Sequence, residues 1–239
     1  MGDLPLAGAL SDLLGIFKQG IGSDVEIEFA VDVSRGPCLY VLQVRPMATQ
    51  VYQDDVQTPR ALPAERILVR TERSLGHGRI EDVRDVVYCK RISLDSLTTR
   101  AAAREVGEIN VRLQELGRPY VLIGPGRWGT SDAALGIPVD WSQISGARVI
   151  VETSQEGSPI EPSQGTHFLQ NITFLRIGYL TVLGQEPQDD EGIATAWLDA
   201  QPAVHETRLL RHVALARPLS VLLDGRHGSA VILKPAPEA

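Results

Sequence analysis

Residues 24–46 constrain the fold more than any other part of the chain, because two successive runs alternate with a period of two. In the first run Val25, Ile27, Phe29 and Val31 fall on one side and Asp24, Glu26, Glu28 and Asp32 on the other. That is the pattern of a strand with one dry and one wet face. Ser34-Arg35-Gly36-Pro37 supplies turn residues, and Leu39 to Pro46 resumes the alternation, so the segment reads as a β-hairpin. Simple alternation gives Leu39, Val41, Gln43 and Arg45 a common face. Carboxylates, a carboxamide and a guanidinium would thereby gather on one side of a rigid ribbon. Such a group suits a magnesium polyphosphate. Mg²⁺ takes hard oxygen ligands, usually one or two carboxylates plus phosphate oxygens, and the guanidinium fork matches phosphate. Any half-exposed antiparallel hairpin shows the same alternation, so the pattern alone leaves both readings open.

The residues Glu26-Ile27-Glu28-Phe29 and Leu42-Gln43-Val44-Arg45-Pro46 resemble the last strand pair of the ATP-grasp nucleotide-binding domain in phosphoenolpyruvate synthase and pyruvate phosphate dikinase. The resemblance implies that Glu28 and Gln43 hold magnesium and that Arg45 contacts the terminal phosphates of ATP. It covers about the first fifth of the chain. A second resemblance covers most of the rest. It is carried by Ser74-Leu75-Gly76-His77-Gly78, Tyr120 to Gly129, Trp141 to Arg148 and Ser163-Gln164-Gly165-Thr166-His167-Phe168. These segments look like the end of bacterial PEP/pyruvate-binding, pyruvate phosphate dikinase-like proteins.

Together the resemblances imply part of an ATP-dependent phosphotransferase, with ATP and Mg²⁺ as cofactors and pyruvate or PEP as a further ligand. They also imply a partner: the amino-terminal ATP-grasp half, with its Gly-rich lid, supplied in cis or as a separate chain. On this reading residues 1–50 are the ATP-grasp end piece, 51–64 a linker and 65–239 a C-terminal mixed α/β domain. The alternative is a non-catalytic module that binds a ligand or the rest of a split enzyme.

Two further motifs bear on chemistry. His167 stands near the expected start of a helix, where the dipole favours a neutral imidazole and then an attached phosphate. The resembled synthases pass phosphate through a histidine, but the Thr-x-His-Ala-Ala motif of their carrier domain is absent. His167 is therefore expected either as a phosphocarrier or as a structural histidine. Gly124-Pro125-Gly126-Arg127-Trp128-Gly129 satisfies G-x-G-x-x-G after a strand, with Glu152 near the acidic position of a dinucleotide site. That site needs a helix to begin there, and Thr130 to Pro138 is too short and broken for one. An anion-binding loop with a base stacked on Trp128, or a tight loop anchored by a buried Trp128, are the remaining readings.

The chain has 239 residues with a net charge of −7, which argues against general affinity for nucleic acid or an anionic membrane. The two cysteines, Cys38 and Cys89, form no CxxC or Cys/His cluster, against structural zinc and in favour of a reducing compartment. No apolar run approaches the roughly 18 residues that span a bilayer. No basic n-region opens the chain, so the cytoplasm is the expected compartment.

Helical spacing of Leu6, Leu10, Leu13, Leu14 and Phe17, with Asp3 as cap and Gly20 and Gly22 as stops, predicts a first helix on the back of the hairpin. A second helix is expected over 95–116, capped by Asp95, with a stripe of Ala102, Val106, Ile109, Leu113 and Leu116. Segments 67–69, 85–88, 120–123, 148–151 and 178–182 read as strands, and Phe168 to Leu175 as a short helix, although Ile172-Thr173-Phe174 also suits a strand. Segments 219–223 and 230–233 flank a hairpin turn. The fold class is α/β or α+β with a mixed sheet. Arg208, Arg211, His212, Arg217, Arg226 and His227 are expected to be solvated or paired with acids.

Overall fold

The computed structural model describes residues 5–21, 25–34, 36–46, 55–59, 61–90, 92–154, 166–183 and 191–236, with backbone alone for Ile21, Pro46, Thr166, His167 and Leu169. The chain divides into two compact units, 1–51 and 52–239.

The first unit consists of helix α1 (Leu6–Ile21) and strands β1 (Val25–Asp32) and β2 (Cys38–Pro46). The Pro5 carbonyl accepts the Ala9 N–H at 3.0 Å, so Pro5 stands where a missing N–H removes no helical bond. The expected cap Asp3 and stop Gly22 lie outside the described residues. β1 and β2 pair antiparallel, with Glu26 opposite Arg45, Glu28 opposite Gln43 and Phe29 opposite Val41. Leu42 is therefore an extra residue, and the ribbon carries a β-bulge. The bulge moves Leu39 and Val41 onto the face of Val25, Ile27, Phe29 and Val31, whereas Gln43 and Arg45 stand with Glu26 and Glu28. The expected common face of Leu39, Val41, Gln43 and Arg45 is thus corrected: counting by twos makes no allowance for an unpaired residue. α1 packs against β1, yet Val25 is the only buried hydrophobic residue among those described in this unit.

The second unit contains β3 (Ile67–Thr71), β4 (Ser74–Leu75), β5 (Gly78–Ile80), β6 (Asp85–Cys89), α2 (Ser96–Glu115), β7 (Tyr120–Pro125), β8 (Arg127–Trp128), β9 (Gly136–Ile137) and β10 (Ala147–Thr153). It continues with α3 (Thr166–Phe174), β11 (Gly178–Val182), β12 (Gly192–Ile193), α4 (Thr195–Asp199), β13 (Ala203–Glu206), β14 (Leu210–Ala214), β15 (Ser220–Asp224) and β16 (Ser229–Leu233). One sheet has the order β13-β14-β6-β7-β10-β11-β4 and the other β12-β3-β16-β15-β5. β6, β7, β10 and β11 run parallel, and the flanking strands run antiparallel. The fold is therefore mixed α/β.

Parallel neighbours need a crossover, and α2 supplies it between β6 and β7. Asp95 caps α2 by accepting the N–H groups of Leu97 and Thr98 at 3.0 and 2.9 Å. At the other end Gly117 N–H bonds Gln114 O and Arg118 N–H bonds Leu113 O, both at 2.9 Å, which is a Schellman ending. Ala102, Val106, Ile109 and Leu113 are buried as a stripe, whereas Leu116, at the C-cap, is exposed. Val87, Leu122 and Ile150 pack under this helix, and Val86, Val121, Val149 and Val151 face Val69, Val221 and Ile232 of the second sheet. Both faces of the parallel strands are dry, which explains their unbroken apolar runs.

Asp85, 1% exposed at the start of β6, joins three elements. It accepts Arg118 Nε at 2.8 Å and Nη2 at 2.9 Å, and its Oδ1 lies 2.7 Å from His212 Nε2 on β14. Removing a buried carboxylate strands its partners, so Asp85→Ala is expected to lower the unfolding free energy by about 3 kcal/mol. Urea denaturation measures this, and an unchanged midpoint would contradict it.

In the β15–β16 turn the buried Asp224 accepts the N–H groups of Arg226 and His227 at 3.1 and 3.3 Å and bonds His227 Nδ1 at 2.8 Å. Burial pushes its pKa up, but the His227 side chain and the two N–H groups outweigh this and hold it below the ordinary 3.8. A depressed folded pKa adds stability above the unfolded pKa, and that stability disappears as pH falls through the folded value. The stability gap between wild type and Asp224→Asn should therefore be widest near about pH 6 and shrink toward about pH 2. Thermal unfolding across that range checks it.

Candidate functional site

The wet face of the hairpin brings Glu28, Gln43 and Arg45 together. Glu28 and Gln43 are direct cross-strand partners, and Arg45 Nη2 donates to Gln43 Oε1 at 2.5 Å. Glu26, which the sequence placed on this face without a role, lies opposite Arg45. Glu28 and Gln43 are exposed and Arg45 is half-buried. A carboxylate and an amide oxygen side by side fit a hard cation that fills its other positions with phosphate and water. Gln43 Oε1 accepts from the Arg45 guanidinium, and a cation at that oxygen would compete with this bond. Among the described residues no cluster of three or more His, Cys, Asp or Glu forms a metal site.

The side chain of His167 lies outside the described residues. Its backbone is in the first turn of α3. The neighbouring Phe168 ring sits edge-on to Trp141 and Tyr179, with centroids at 6.0 and 6.2 Å.

The Gly-rich motif serves packing. β7 is followed by β8 and β9, which pair in parallel, and no helix begins at the motif, so the dinucleotide geometry is absent. Trp128 is 1% exposed, which rules out the reading in which a base stacks on its indole. Gly126, at φ 71°, turns the chain, and a Cβ there would lie 2.4 Å from Leu135 O. A Cβ on Gly124 would lie 2.3 Å from Trp128 Cζ2. Glu152, fully buried, accepts the Trp128 N–H at 2.9 Å and the Tyr179 O–H at 2.5 Å. The acid that sequence spacing offered to a ribose thus fixes the loop. Gly124→Ala is expected to destabilise the protein by about 2–3 kcal/mol through overpacking. Chemical denaturation with Trp fluorescence reads this, and a shift within error would contradict it.

A cleft of about 450 Å³ opens at the carboxyl ends of β6, β7 and β10. Tyr88 and Ile123 are register partners, as are Arg211 and Tyr88. A row of side chains from β14 through β7 thus faces the gap. The opposite wall comes from β12 and α4, through Ile193, Thr195, Leu198 and Asp199. Tyr88 O–H donates to Asp199 Oδ1 at 2.6 Å and ties the walls together. Burial, then the bond to Asp199, pushes the Tyr88 phenol pKa up, so it stays a donor. Lys90 Nζ bonds Glu206 Oε1 at 2.5 Å and Thr207 O at 2.7 Å. Sequence reading missed this cleft; its one signal was that strands 85–88, 120–123 and 148–151 end in polar or glycine-bearing segments.

No family model, curated protein or solved structure matches this chain.

Proposed function

We propose that the hairpin face supplies the metal–phosphate contacts of an ATP-dependent phosphotransferase of the phosphoenolpyruvate synthase or pyruvate phosphate dikinase type. The observation that carries this reading is the register that sets Glu28 beside Gln43 with Arg45 on the same face. Glu28 and Gln43 hold Mg²⁺, and Arg45 leaves Gln43 to contact the terminal phosphates of ATP. Magnesium neutralises phosphate charge when bound. The chain's own residues orient the phosphates, and positioning with charge compensation is most of what phosphoryl transfer asks of a protein. His167 remains the proposed phosphocarrier of the same system.

A second reading is favoured by a separate observation. Phe29, Val31 and Val41, on the other face of the hairpin, are exposed at 38%, 36% and 36%. An apolar face of this kind marks a docking surface, here for the remaining ATP-grasp half. The two readings are compatible when that half docks, and the second stands alone if the polar face binds nothing.

Isothermal titration with Mg-ATP and with magnesium tripolyphosphate tests the first reading. Binding is expected, weakened about tenfold by Arg45→Met and by Glu28→Gln, since each removes a charge-assisted contact. A silent wild type, or affinities unchanged in both variants, would leave only the docking module.

A further inference from the structure

We infer that the cleft at the carboxyl ends of β6, β7 and β10 binds a small organic anion, with its carboxylate or phosphate head at Lys90 and Arg211 and its apolar body over Ile123, Ile193 and Leu198. The cleft lies outside the carboxyl ends of parallel strands, the end at which open α/β sheets hold ligands, here without a reversal of strand order. The volume, about 450 Å³, falls within the range of small-molecule pockets.

The head group follows from a count of donors and acceptors. Both carboxylates of the cleft are already engaged: Asp199 takes the Tyr88 O–H and Glu206 takes the Lys90 ammonium. The cations are less fully used. Arg211 Nη2 donates to Gln201 O at 2.7 Å, but Arg211 Nε is buried without a hydrogen-bond partner. Glu206 Oε2 lies 3.8 Å from it, close enough to pair charge but beyond hydrogen-bonding distance. Lys90 makes two of the three bonds its ammonium can donate. Unfilled donors of positive charge call for an anionic oxygen. Glu206, exposed and held by Lys90, is the group such an anion would displace.

The body of the ligand follows from the floor. Ile123, Ile193 and Leu198 are among the residues that line the cleft, so its floor is apolar and suits an apolar group. At the rim, Thr153 Oγ1 donates to Gly124 O at 3.2 Å. This inference is independent of the hairpin reading.

Titration with benzoate, phenyl phosphate and benzyl alcohol, followed by amide chemical shifts and calorimetry, tests it. At least one anion is expected to bind, with the neutral alcohol about tenfold weaker. The tighter of the two anions identifies the head group as carboxylate or phosphate. Arg211→Met should weaken the anion about tenfold, and Leu198→Trp, which fills the floor, should abolish binding. Should either variant fail to fold, the wild-type shifts decide: they should concentrate at Lys90, Gly124, Ser154 and Thr195. Equal binding of the alcohol, shifts centred elsewhere, or no binding by either anion would overturn the inference.

Discussion

The parallel pairing of β6, β7, β10 and β11 persists only while both of its faces stay dry, and the α2 layer and the second sheet provide that cover. Everything else in the larger unit follows from this constraint. With both faces taken, the four parallel strands meet solvent mainly at their ends. At the amino end Asp85 is held by Arg118 and His212. The carboxyl end carries the cleft between Tyr88, Arg211 and α4. Glu152 shows how a polar group survives inside: each carboxylate oxygen has a donor, from the Trp128 N–H and the Tyr179 O–H, so its burial is compensated.

The smaller unit solves the opposite problem. A two-stranded ribbon cannot bury both faces, and with one helix beside it the hairpin leaves an apolar face open. Its polar face gains definition from the bulge at Leu42. An unpaired residue strengthens local twist and re-aims its neighbours, and here it separates the polar pair Gln43 and Arg45 from the apolar pair Leu39 and Val41.

Legibility in the sequence tracked how local the cause was. α2 was legible because its cap, stripe and Schellman ending lie within one contiguous segment. The buried strands were legible as apolar runs, and the last hairpin through Asp224 to Gly228. The bulge was not, because one extra residue leaves no mark on composition. β14 was hidden behind its charges: Arg211 and His212 are expected as solvated or paired with acids, and His212 proves to be paired, 3% exposed against Asp85 inside a strand. The cleft was invisible because its walls come from five separate segments. The Gly-rich motif was legible as a tight loop anchored by a buried Trp128, and its first glycine is needed because the Trp128 ring lies against it. Glu28, Gln43 and Arg45 were legible together through the resemblance; the register that puts them on one face is a cross-strand property that alternation within each strand leaves open.

The central proposal is that the polar face of this hairpin clasps a metallated polyphosphate. Mn²⁺ replacing Mg²⁺ in a complex with tripolyphosphate broadens nuclear resonances according to distance. The account predicts selective broadening of the amide signals of Glu28, Gln43 and Arg45, reversed by excess Mg²⁺. Broadening centred on other residues, or none at the hairpin, would contradict it.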